Sequence, residues 1–116
     1  MSKLLIFIGE KQAFDIEKTL EAILSIKGIN NAKRGSLVGA VFECEYMFEG
    51  NSTVVRISDD VETITVEGLG LEAADFAVKF QQRMEIPLNA IDMEYSFNLQ
   101  LLNFRSGEEL ISAMSS

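Results

Sequence analysis

From Asp92 to Leu101 the chain alternates without a fault. Met93, Tyr95, Phe97, Leu99 and Leu101 stand on one side, and Asp92, Glu94, Ser96, Asn98 and Gln100 on the other. A strict period of two predicts a strand with one apolar and one wet face. The wet side carries carboxylates and amides and no cation. In a chain with 18 acidic against 10 basic residues and a formal charge of −8, that side predicts a sheet surface of negative potential on which a partner docks.

The 116 residues, 47% of them hydrophobic, fit one domain around one core, spanning 1–116. The acidic balance argues against nucleic acid, whose phosphates are held chiefly by Lys and Arg, and favours a basic partner. A lone cysteine excludes an intramolecular disulfide. Cys44 falls among Phe42, Tyr46 and Phe48 on the apolar side of a predicted strand, as a core thiol in a reducing compartment does. Near the N-terminus the apolar run Leu4 to Ile8 is too short for a signal-peptide core or a membrane span, so a cytoplasmic protein is expected.

The continuous apolar run at 3–8 suits a strand buried on both faces. Ala13, Ile16, Leu20, Ile23 and Leu24 recur at helical spacing over 13–27, with Gly28 in the C′ position. Residues 28–39, with three glycines, two asparagines and no period, predict a long loop, and its Lys33-Arg34 is the one adjacent pair of cations. Three short strands at 40–48, 53–58 and 62–67, joined by compact polar turns, predict an antiparallel meander. Arg56 is its one cation placed to pair across strands with a glutamate. A second amphipathic helix follows at 71–84 before Pro87, then the alternating strand. Last comes a capping box, Ser106-Gly107-Glu108-Glu109, which opens a short helix expected at the sheet edge.

The expected order is β-α-β-β-β-α-β-α. This is an α/β protein of the α+β type, a two-layer sandwich in which about five mostly antiparallel strands carry two long helices on one face. Phe42, Cys44, Tyr46, Tyr95 and Phe97 should then point inward. Glu43, Glu45, Glu67, Asp92 and Glu94 should line the open face, with Asp59, Asp60 and Glu62 extending its field from a neighbouring turn.

Histidine is absent, which removes the commonest general base and the commonest transition-metal ligand. With one core-facing cysteine, Cys–His nucleophilic sites and ordinary zinc sites are also excluded. Nothing buries the pairs Glu43 with Glu45 or Asp92 with Glu94 in a way that separates their acidities, so a solvated face is preferred to an acid–base site. Asp59, Asp60 and Glu62 lack the alternating spacing and central glycine of a calcium loop, and a turn is the simpler reading. Gly68-Leu69-Gly70-Leu71-Glu72-Ala73 places a G-x-G-x-x-A pattern between a strand and a helix, where a phosphate can rest on the helix N-terminus. Glu67, Glu72 and Asp75 surround that place with negative charge. No cofactor, metal or catalytic residue is expected, and a small-ligand or nucleotide site at the Gly68-Gly70-Ala73 turn is the alternative.

The run from Ser58 to Met114, above all Ile91-Asp92-Met93-Glu94-Tyr95-Ser96-Phe97-Asn98-Leu99 and Glu108-Glu109-Leu110-Ile111, resembles the small acidic immunity proteins encoded beside bacterial polymorphic toxins. The resemblance is one of size, charge and strand style over about half the chain. It implies a cytoplasmic α/β protein that binds and blocks a cognate toxin domain; a basic domain, no enzymatic activity and a monomer or weak dimer are expected of this chain. It transfers no residue roles.

Overall fold

The structure, a computed structural model, describes residues 2–115, with Ser36 and Leu37 described by their backbone alone. Strands β1 (Lys3–Phe7), β2 (Ile29–Leu37), β3 (Ala40–Phe48), β4 (Asn51–Ser58), β5 (Thr63–Glu67), β6 (Asn89–Asp92) and β7 (Asn98–Gln100) form one seven-stranded sheet in the order β2-β3-β4-β5-β1-β6-β7. Every neighbouring pair is antiparallel. Helices α1 (Ile16–Leu24), α2 (Leu71–Gln82) and α3 (Gly107–Met114) complete an α+β fold, with a single 3-10 turn at Leu101–Asn103. Among the described residues no helix is long and apolar enough to cross a membrane.

The meander β3-β4-β5 follows the alternation in the sequence. Phe42, Cys44, Tyr46, Val55, Ile57, Ile64 and Val66 are buried on one face and join Leu4 and Ile6 of β1 in the core. Helix α2 lays Phe76 and Phe80 on that face. The two rings stack with centroids 5.8 Å apart, Phe76 lies 5.7 Å from Tyr46, and Phe80 lies 6.2 Å from Phe14, just ahead of α1. Helix α1 adds Leu20 and Ile23, and Arg34 of β2 reaches across to its Glu17.

The single perfect alternation in the sequence is not a single strand. Strand β6 ends at Asp92, the chain turns through 93–97, and β7 returns for three residues. Asp92 makes the turn: its Oδ1 accepts from the Ser96 amide (2.7 Å), and its carbonyl accepts from the Tyr95 amide (3.3 Å). These local bonds compete with strand pairing and win. Tyr95, expected in the core, stands at the turn with φ 56° and is exposed, while Phe97 is half-buried against the core. Asp92, expected on the wet face, sits opposite Leu4 on the helix side and is buried.

Segment 28–39 is a strand rather than a loop. Strand β2 pairs with β3 but slips register twice, between Asn30 and Lys33 and between Arg34 and Leu37, with Asn31 and Gly35 at positive φ. Each bulge shifts the side-chain phase, which erases the period a strand would otherwise show. Bulges and cations on an outer strand also discourage edge-to-edge pairing with another chain.

The remaining differences are smaller. The continuous run at 3–8 yields a strand buried on one face, with Leu5 and Phe7 half-exposed on the other. Helix α1 begins later than its periodicity suggests because Asp15 caps it, accepting from the Lys18 amide (3.2 Å). It is capped at its other end by Ser25. Gly28 lies beyond that cap with φ 109°, where an added Cβ would meet the Met47 carbonyl at 2.6 Å. Helix α3 packs on α2 and not on the sheet edge: a Cβ on Gly107 would stand 2.7 Å from the Asp75 amide nitrogen. Ser106 accepts from the Glu109 amide as a capping box requires, but Glu109 reaches back one residue further, to the Arg105 amide (2.8 Å).

Candidate functional site

All three helices contribute to the core on the face that carries Tyr46 and Ile6, so among the described residues the opposite face of the sheet has no helix over it. One row of that face crosses all seven strands: Lys33, Glu43, Arg56, Thr65, Leu5, Ile91 and Asn98 stand side by side. Arg56 Nε lies 3.0 Å from Glu43 Oε1, the cross-strand ion pair expected from sequence, and Arg56 Nη2 donates to the Val38 carbonyl (3.1 Å). The adjacent row brings Asn30 beside Glu45, with Lys3 opposite Glu67. Asn31 donates to Glu45 Oε2 (2.9 Å).

Arg56 is therefore not the lone counter-charge. Strand positions on this face carry Lys3, Lys33 and Arg56 against Glu43, Glu45 and Glu67, and these balance. Lys33 was hidden because β2 reads as a loop. The acidic surplus lies on the turns and helices. Asp59, Asp60 and Glu62 cluster in the β4–β5 turn, where Asp60 Oδ1 accepts from the Ser58 hydroxyl (2.6 Å) and the Glu62 amide (3.0 Å). Those bonds, the Ser58 hydroxyl first, hold the Asp60 carboxyl below its usual range. This turn lies at the end of the strands marked by Phe7 and Thr63, whereas the 93–97 turn lies at the end marked by Leu4 and Val66. The eight acidic residues singled out from sequence thus do not form one field.

Three of them do share an end of the sheet. Glu45 of β3, Glu67 of β5 and Glu94 of the 93–97 turn lie at that end, as do Met47 of β3, 52% exposed, and Met93 and Tyr95 of the turn, 54% and 76% exposed. Among the described residues, none of the three glutamates forms an ion pair. Asp92 supports this end from within. Hydrogen bonds from Ser96, through the side chain first and then the amide, hold its carboxyl below the usual range.

The glycine turn is shaped differently from a phosphate cradle. Gly70 is the N-cap of α2, and the Glu72 carboxylate curls over it so closely that a Cβ on Gly70 would meet Glu72 Oε1 at 2.7 Å. A side-chain anion already occupies the positive end of the helix dipole.

A polar cluster that the sequence did not reveal sits beneath the sheet. The Tyr46 hydroxyl donates to Asp75 Oδ2, Lys79 Nζ lies 3.0 Å from the same oxygen, and Lys79 also donates to the Tyr46 hydroxyl (3.1 Å). The ammonium lies 5.0 Å from the centre of the Phe48 ring. The only hint was Asp75 and Lys79, four apart in a helix whose surrounding residues are apolar. Burial, followed by the Asp75 hydrogen bond, raises the Tyr46 hydroxyl's pKa. Desolvation pulls Lys79 down, but its bonds to Tyr46 and Asp75 outweigh that and raise it. A less acidic phenol and a more basic amine are the opposite of an activated nucleophile or base at neutral pH. The cluster pins α2 to β3.

Cys44 behaves as a core residue. Burial, with smaller contributions from the charges of Glu43 and Glu45, pushes its thiol up to about 12. The native protein should therefore resist a thiol reagent at about pH 8 and react on unfolding, because the thiolate is the reactive form. Rapid stoichiometric labelling of the folded protein would contradict this packing. Among the described residues no three acidic, histidine or cysteine side chains converge as a metal ion would require. Compared with known proteins, the chain matches no family model, no curated protein and no solved structure.

Proposed function

We propose that this protein is a non-catalytic protein-binding module, an immunity-type inhibitor that covers a cognate bacterial toxin domain of basic charge in the cytoplasm. The observation that carries the reading is one end of the sheet, where Met47 of β3 and Met93 and Tyr95 of the 93–97 turn are exposed and where Glu45, Glu67 and Glu94 form no ion pair among the described residues. Exposed apolar side chains rimmed by charge are the usual composition of a protein-docking patch. From β3 to β6 is four strand spacings, about 19 Å, a width suited to a standard interface. Glu94 on the turn, in a chain of charge −8 whose acidic surplus lies on turns and helices, steers a basic partner inward and repels an acidic one. No observation favours a nucleotide at the glycine turn, where Glu72 stands.

The test is charge reversal at Glu45, Glu67 and Glu94, each to Lys. Glu43 is left alone, since reversing it would line up three cations from Lys33 to Arg56. Binding is measured to the C-terminal domain encoded by the neighbouring gene. Association should slow at least about tenfold at low salt, and the difference should shrink at high salt, because exposed charges act mainly on encounter and are screened. Equal affinities at both salts would remove the acidic patch from the account.

A further inference from the structure

Among the described residues five besides glycines have positive φ: Lys11, Asn31, Glu49, Val61 and Tyr95. Asparagine enters that region readily, whereas for bulky or β-branched residues it is a true outlier. Val61 and Tyr95 are the bulky cases, and they differ in what accounts for the residue chosen. Val61 packs against the core, and its carbonyl accepts from the Phe14 amide (2.7 Å), so its position ties the β4–β5 turn to the approach to α1. Tyr95, at φ 56°, fills the left-handed place of the turn that Asp92 closes, where glycine or asparagine fits at less cost, and its side chain is 76% exposed. A bulky, largely exposed residue where the turn favours glycine or asparagine points to a use outside the folded chain.

We infer that the Met93-Glu94-Tyr95 tip is a preorganised plug that enters a concave, cationic pocket on the protein partner. The inference rests on the reading of the protein as a binding module and names its principal anchor. Asp92 fixes the tip through the Ser96 and Tyr95 amides, so little order remains to be lost on docking. Methionine and tyrosine are favoured at the buried centre of interfaces, and tyrosine is a frequent hot spot. Glu94 between them has no ion pair among the described residues, and Asp92 spends its carboxylate internally. The tip therefore offers an apolar surface with an anion at its centre, and its complement is an apolar pocket carrying Lys or Arg.

Two readouts test this on the full chain. Tyr95→Gly and Tyr95→Asn place residues suited to the left-handed region at the tip, and both should melt higher than wild type, by about 2–5 °C for glycine. Both should also bind the neighbouring-gene domain at least about tenfold more weakly. Leu102→Ser removes an exposed apolar side chain, 64% accessible, next to the opposite end of the sheet and should leave binding unchanged. Higher stability with weaker binding supports the inference, because it separates strain from use. Unchanged or lower melting overturns the strain argument. Higher melting with wild-type affinity overturns the plug while leaving the binding module standing, and absence of any wild-type binding overturns both. Wild type sedimenting as a dimer that Tyr95→Gly dissolves would assign the tip to a second copy of the chain, against the inference.

Discussion

Phe76→Ala should cost about 3–5 kcal/mol, the largest loss expected from any single truncation here. Phe76 is fully buried between Tyr46 of the sheet and Phe80 one turn further along α2, at ring separations of 5.7 and 5.8 Å. Both neighbours are locked, Tyr46 by its hydrogen bonds and Phe80 by Phe14, so they cannot collapse into the space left behind. Against a typical stability of about 5–15 kcal/mol, that loss brings the domain near the limit of folding. Urea denaturation should show a lower midpoint at unchanged slope. Leu102→Ala should stay within about 0.5 kcal/mol of wild type as the exposed comparison. A Phe76→Ala loss that small would mean that α2 does not form the centre of the core.

Asp75→Ala is expected to cost about 2–3 kcal/mol, mainly because it strands a buried donor rather than because an ion pair is lost. The Lys79 side chain is 36% exposed against 12% for Asp75, so solvent screens much of their attraction. The Tyr46 hydroxyl has no such escape, since the residue is wholly buried and its proton is directed at Asp75. Removing that proton should therefore relieve the defect. In a double-mutant cycle, Asp75→Ala with Tyr46→Phe should be more stable than the sum of the single losses predicts, with a coupling of about 1 kcal/mol or more. Additive losses would show that the two side chains do not depend on one another.

What was legible in the sequence divides along a physical line. The meander was readable because the inward Phe42, Cys44, Tyr46, Val55, Ile57, Ile64 and Val66 report their burial one residue at a time, with tight turns between. Helix α2 was readable for the same reason at a different period. Segment 28–39 was not, because its two bulges change the phase that defines a strand. The 92–101 run misled in the opposite direction. Perfect alternation describes which side chains are apolar, not whether the backbone stays straight, and an aspartate able to cap its own turn decided the matter. Both errors bear on the site. A loop at 28–39 hid Lys33 and Asn31 from the open face and made that face look more acidic than it is. A straight strand at 92–101 buried Met93 and Tyr95, the most exposed apolar side chains of the patch now proposed. The Tyr46-Asp75-Lys79 cluster was beyond reach for another reason, since it joins residues 29 apart through a packing of helix on sheet that no local pattern encodes.

The function proposed for this chain is to bind and silence a basic protein domain. Its most direct test mixes the purified protein with the C-terminal domain encoded by the adjacent gene and measures the mass of the eluting species and the domain's activity together. A 1:1 complex is expected, with that activity suppressed in proportion to complex formed. Two separate species at concentrations of about 10 μM or more, with activity undiminished, would contradict it.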